Sequence, residues 1–176
     1  QYAPEESPLD VGTYSGYFPM STYANLGTAV TWNSAIGSSA FTISMWMYLE
    51  DNGGSYQPII TFGRTGTGTF KGNIAVHLDT TTMKIQFKRS GGAGADNGIV
   101  QSGQTVEYNQ WHHLVVTYDG SDPGGDSADT VVAMKIYLDS LDVTDATAVS
   151  ALDTPDAIGT TDGNLGYFTY GGVFSS

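Results

Sequence analysis

The densest chemistry in this chain is a run of carboxylates. Asp119, Asp122, Asp126 and Asp129 all fall within Asp119-Gly-Ser-Asp-Pro-Gly-Gly-Asp-Ser-Ala-Asp129. Calcium is a hard cation that takes about six to eight oxygen ligands, and glycines let such a loop fold its carboxylates inward. The spacing is not that of an EF-hand, and solvated turn residues are the plainer reading. A weaker second group is Asp153, Asp156 and Asp162 with Asn164. The other chemistry on offer is stacking, because an aromatic ring near a turn can hold the apolar face of a sugar. Trp32, Tyr56, Tyr108, Tyr167 and Tyr170 lie near turns and are the candidate ligand contacts, against a plainer reading as packing. Trp46 and Trp111 lie within strand-like segments, where core is the expectation.

Catalytic groups are thinner. His112 and His113 are neighbours, as are Glu50 and Asp51, and neighbours on a strand point to opposite faces, so neither pair can act as one unit. Packing and hydrogen bonding are the expected roles of both histidines and of His77. There is no Gly-x-Ser-x-Gly, no His-Glu-x-x-His and no phosphate loop. The expectation is a protein without catalytic activity.

The elements that must position these groups are short strands. Phe41, Ile43, Met45, Met47 and Leu49 alternate with Thr42, Ser44, Trp46 and Tyr48, the period of two that buries one face of a strand. The same alternation marks Ile74, Val76 and Leu78; Met83, Ile85 and Phe87; Leu114, Val116 and Tyr118; and Val132, Met134, Ile136 and Leu138. Clusters such as Asp51-Asn-Gly-Gly54 supply turns between them. No long apolar stripe has helical spacing. The fold class expected is all-β, an antiparallel sandwich of two sheets. The chain has 176 residues, 40% of them hydrophobic, enough for a single core. Residues 1–12, with Pro4 and Pro8, are expected to form an extended arm, and residues 13–176 one domain.

Three segments, in order, resemble a known signature. Ala40-Phe-Thr-Ile-Ser-Met-Trp-Met47, then Gln110-Trp-His-His-Leu-Val-Val-Thr-Tyr-Asp-Gly120, then Met134-Lys-Ile-Tyr-Leu-Asp-Ser140 are similar to strands of the laminin-G-like, concanavalin A-type jelly rolls. The resemblance implies that architecture over roughly residues 13 to 170. It also implies calcium at the rim of the sandwich in many members, and a structural role for the Trp-His-His pair. Glucanases of this fold carry a Glu-x-Asp-x-x-Glu strand, whose carboxylates serve retaining hydrolysis, and nothing here matches it. Members usually finish on a Phe-x-Gly-x-Ile-Asp-Glu-Val-x-Ile-Tyr strand. This chain stops after Gly166-Tyr-Phe-Thr-Tyr-Gly-Gly-Val-Phe-Ser-Ser176, so the final strand is expected to be incomplete and a sheet edge open.

Charge narrows the partners. The net charge is −12, from 6 basic and 18 acidic residues, which disfavours nucleic acid and anionic membranes. Five of the six basic residues, Arg64, Lys71, Lys84, Lys88 and Arg89, fall in the middle third, and ten Asp lie beyond Tyr118. A solvated acidic surface is one reading; a basic patch meeting the acidic end of another copy is the other. The chain contains no cysteine, so there is no disulfide framework and no thiolate site. It begins with Gln1, which suggests a processed secreted protein or a fragment. Two functions stay open at this point. One is a carbohydrate-binding or adhesion module, extracellular or surface-exposed, with a glycan or cell-surface polysaccharide as partner. The other is a building block of a filament, surface layer or virion, polymerising through its arm and an open edge.

Overall fold

A computed structural model describes residues 23–27, 36, 39–51, 53–62, 74–89, 97–153 and 163–166. The strands are β1 (Tyr23–Gly27), β2 (Phe41–Tyr48), β3 (Tyr56–Phe62), β4 (Ile74–Asp79), β5 (Lys84–Arg89), β6 (Gly98–Gln101), β7 (Trp111–Tyr118), β8 (Met134–Leu138), β9 (Leu141–Asp142) and β10 (Gly163–Gly166). Among the described residues a short helix, α1 (Ser127–Ala133), precedes β8. A six-stranded sheet has the order β1-β10-β3-β4-β5-β6, and a four-stranded sheet the order β2-β7-β8-β9. Among the described residues all the strand pairings are antiparallel. The fold is the expected antiparallel jelly-roll sandwich. The arm at residues 1–12, Arg64, Lys71 and the segment after Gly166 lie outside the described residues. Among the described residues β10 fills the place between β1 and β3.

The core forms where the inward positions of the two sheets meet. Phe41 of β2 packs edge-on against Phe87 of β5, with ring centroids 6.1 Å apart, and its other side meets Tyr118 of β7 at 5.7 Å. Ile74, Val76, Leu78, Ile85, Leu114, Val116, Met134 and Ile136 fill the space around them. These are the residues that period two points inward, apart from two edge positions: Ile43 and Met45 are only partly buried against the core.

Three expectations are corrected. Val132 does not continue a strand; it lies in α1 and is 65% exposed. Asp126 caps that helix by accepting from the amides of Ala128 and Asp129, and Asp129 sits in the first turn, where a carboxylate suits the helix dipole. Thr130, Val131 and Ala133 are its buried side. In β4 the burial is two-sided, since Ala75, His77 and Asp79 are buried along with the alternating apolar residues. Finally, the basic residues form no exposed patch among the described ones. Arg89 points inward in register with Ile74, fully buried, its guanidinium 5.7 Å from the Tyr118 ring; Lys88 is buried; and Lys84 pairs with Asp145 at 3.6 Å.

Candidate functional site

The outward face of the four-stranded sheet follows from strict register. β2 and β7 pair without a bulge from Phe41↔Tyr118 to Tyr48↔Trp111, so every side chain that alternation turns away from the core lands opposite another. Trp46 therefore faces His113, and Tyr48 faces Trp111. Their ring centroids are 5.1 Å and 5.6 Å apart, with the planes tilted by 37° and 59°. Ser44 lies one position further along the same face, its hydroxyl 2.9 Å from His113 Nε2. Val115 pairs with Tyr137, Thr117 with Lys135, and Tyr137 with Asp142, which extends the face across β8 and β9.

Trp46 corrects the expectation of a core residue: it is 39% exposed. Its parity with Thr42 and Ser44 was the signal that places it outside. Trp111 is likewise on the outer face, half-buried against Tyr48, and its indole N–H has no hydrogen-bond partner among the described residues. The two aromatic pairs on this face, with the Ser44–His113 hydrogen bond beside them, form a candidate site that reading for turn-proximal aromatics did not include.

Of the five expected contact residues two are described, Tyr56 and Tyr108, and they lie apart. Tyr56 is on the outer face of the other sheet, edge-on to His77 at 5.3 Å. Tyr108 packs against the core from the segment before β7; burial, then the nearby Asp51 charge, pushes its phenol above the ordinary value. Trp32, Tyr167 and Tyr170 lie outside the described residues.

The histidine pair divides as strand geometry requires. His112 turns inward and its Nδ1 donates to Asp139 Oδ2 at 2.8 Å. Asp139 and Ser140 form the two-residue turn between Leu138 and Leu141, both at positive φ (51° and 73°), a pattern of primed hairpin turns. The same carboxylate accepts the His113 amide at 2.8 Å, and the Asp139 amide donates to the His113 carbonyl at 2.9 Å. Burial works to raise the Asp139 pKa, but the His112 and His113 hydrogen bonds and charges outweigh it and hold the carboxyl below its ordinary value. The Trp-His-His and Tyr-Leu-Asp segments thus latch the β8–β9 hairpin to β7. The Tyr-Asp-Gly that closes β7 has its own reason. Gly120 is at φ +85°, and a Cβ there would stand 2.8 Å from the Ala40 amide nitrogen.

The acidic segment does not make a cage. Asp119 accepts from the amide and hydroxyl of Ser121, Asp122 from the Gly124 amide, and Asp126 from two helix amides. Among the described residues no three His, Asp or Glu side chains converge as metal ligands. As placed, Asp119 and Asp122 turn the chain and Asp126 caps α1, with Asp129 in the helix's first turn. Asp153 is described, whereas Asp156, Asp162 and the side chain of Asn164 are not. Two outcomes are expected: Asp126→Ala costs about 1 kcal/mol through the lost cap, and a chelator leaves the melting temperature unchanged. A chelator-dependent drop would return the segment to calcium.

A family model described as the concanavalin A-like lectin/glucanases superfamily, of laminin-G type, matches residues 21–172. The chain belongs to this superfamily. Among solved structures, domains LG4-5 of the mouse laminin α1 chain align with a TM-score of 0.53 at 14% identity, over 91% of this chain and 35% of the laminin chain. At that identity the likeness is one of fold, and this laminin-G-like chain spans about a third of that structure. No curated protein sequence matches it. Among the described residues no helix is long and apolar enough to cross a membrane.

Proposed function

We propose that this laminin-G-like domain is a non-catalytic carbohydrate-binding or adhesion module that works outside the cell. The superfamily joins lectins with glucanases, and both classes take glycans. The observation that carries the reading is the exposed Trp46 ring with the Ser44–His113 hydrogen bond beside it and the Tyr48–Trp111 pair next along the strands. Rings stack on sugar C–H faces while hydroxyl and imidazole groups take the sugar hydroxyls. Binding is favoured over hydrolysis because glycoside cleavage uses two carboxyl groups across one bond. Within the described strands β2, β7, β8 and β9 the one carboxylate is Asp142, which lies 4.0 Å from Lys135.

A glycan array decides it. The intact chain is expected to bind a selective set of glycans, and Trp46→Ala to weaken that binding by about tenfold or more at an unchanged melting temperature. If no glycan binds, the reading falls. The filament or virion building block rests on residues 1–12 and the closing segment, which lie outside the described residues, and no described feature favours it.

A further inference from the structure

The charge on and around the outward face selects among glycans. Within the described strands of the face the charged residues are Lys135 and Asp142, neighbours across β8 and β9 that cancel at 4.0 Å. The other described cations offer an anionic ligand little: Lys84 is committed to Asp145, and Lys88 and Arg89 are buried. Around this the whole chain carries −12, a potential that repels sulfate and uronate groups at low ionic strength.

The geometry adds a second restriction. Trp46 and Tyr48 are two residues apart on β2, as are His113 and Trp111 on β7, so the aromatic pairs repeat about 7 Å apart along the strands. Successive rings of an extended chain can meet successive pairs. Within each pair the rings are tilted, by 37° and 59°, so the surface is not a plane that a crystalline polymer could cover. A single, conformationally free chain can follow it.

Position supplies a third. The acidic segment begins after Tyr118, at the far end of β7 from Trp111. His113 and Asp119 are six residues apart along an extended backbone, about 20 Å. A cation held by that segment cannot coordinate a sugar seated on the aromatic pairs.

We propose that the ligand is a single uncharged polysaccharide chain laid along the β2–β7 face, bound without a metal ion. This rests on the carbohydrate-binding reading above. The test is isothermal titration of the intact chain with soluble mixed-linkage β-glucan, galactomannan, dextran, heparin and alginate, each in chelator and in calcium, at low and high salt. Pull-down on crystalline cellulose and chitin completes the panel.

At least one neutral soluble polymer is expected to bind, with affinity unchanged by chelator or salt. Trp46→Ala and, independently, Tyr48→Ala are expected to weaken it by about tenfold, and Tyr56→Ala on the other sheet to leave it unaltered. Binding confined to heparin or alginate and weakened by salt overturns the inference. So does binding lost in chelator, or confined to the crystalline polymers. In each of those cases the carbohydrate-binding reading survives. No binding by any polymer overturns both.

Discussion

Phe87→Ala is expected to destabilise the domain by about 3 to 5 kcal/mol. Phe87 is fully buried at the centre of β5, in register with Val76 on one side and Val100 on the other. Across the sandwich its ring meets Phe41, and Phe41 meets Tyr118, whose face the buried Arg89 guanidinium covers. Truncation opens a void at the seam where both sheets depend on one another. Interiors this well packed relax only partly, so the lost contacts add to the lost transfer free energy. The loss is a large share of the roughly 5 to 15 kcal/mol that holds a typical domain together. Urea unfolding should show a lower midpoint at an unchanged slope. A loss under about 1 kcal/mol would mean that the sheets do not meet at this ring.

Acid is expected to destabilise the fold in a defined window through His77. Burial lowers the His77 pKa from 6.5 to about 4; the Gln86 hydrogen bond and Asp79 work against the shift, and Lys88 adds to it. Between those two values the unfolded chain binds a proton that the native chain refuses. Stability therefore falls as pH drops from about 6.5 to 4, by up to something on the order of 3 kcal/mol. Asp139 acts lower down: its depressed pKa gives stability that is present above the unfolded carboxylate value and lost as pH falls through the folded one. The two effects therefore occupy different ranges. Thermal melts near neutral pH and near about pH 4.5 should show the drop in the wild type and a much smaller one in His77→Gln. Equal drops in both proteins would place the acid sensitivity elsewhere.

Much of this architecture was legible along the chain, because a strand announces its buried face at every second residue. Phe41, Ile43, Met45, Leu114, Val116, Met134 and Ile136 were readable as one core from spacing alone; the structure buries five of the seven and leaves Ile43 and Met45 partly buried against them. The segments around Trp111 and Asp139 carried a second layer of information. Their matched pattern encodes a latch made from a buried imidazole, a turn carboxylate and two amides.

What local pattern could not supply was the environment on each side of a strand. Trp46 has the hydrophobicity of a core residue and the parity of a surface one, and the open face of the four-stranded sheet decided for parity. In β4 the opposite occurred: Ala75, His77 and Asp79 have outward parity yet are buried, because burial depends on what lies over a sheet and not on the strand's own period.

Composition and order along the chain determined the fold class and the inward-facing positions, since a strand's alternation is local; the short helix and its Asp126 cap were read from the structure. Convergence was decided only in three dimensions. Asp119, Asp122 and Asp126, close in sequence, accept local amides, while Trp46 and His113, 67 residues apart by number, are brought ring to ring by the β2–β7 ladder. Sequence proximity sets which hydrogen bonds close locally; the sheet's register sets which distant side chains share a face, and a binding surface is made of the latter.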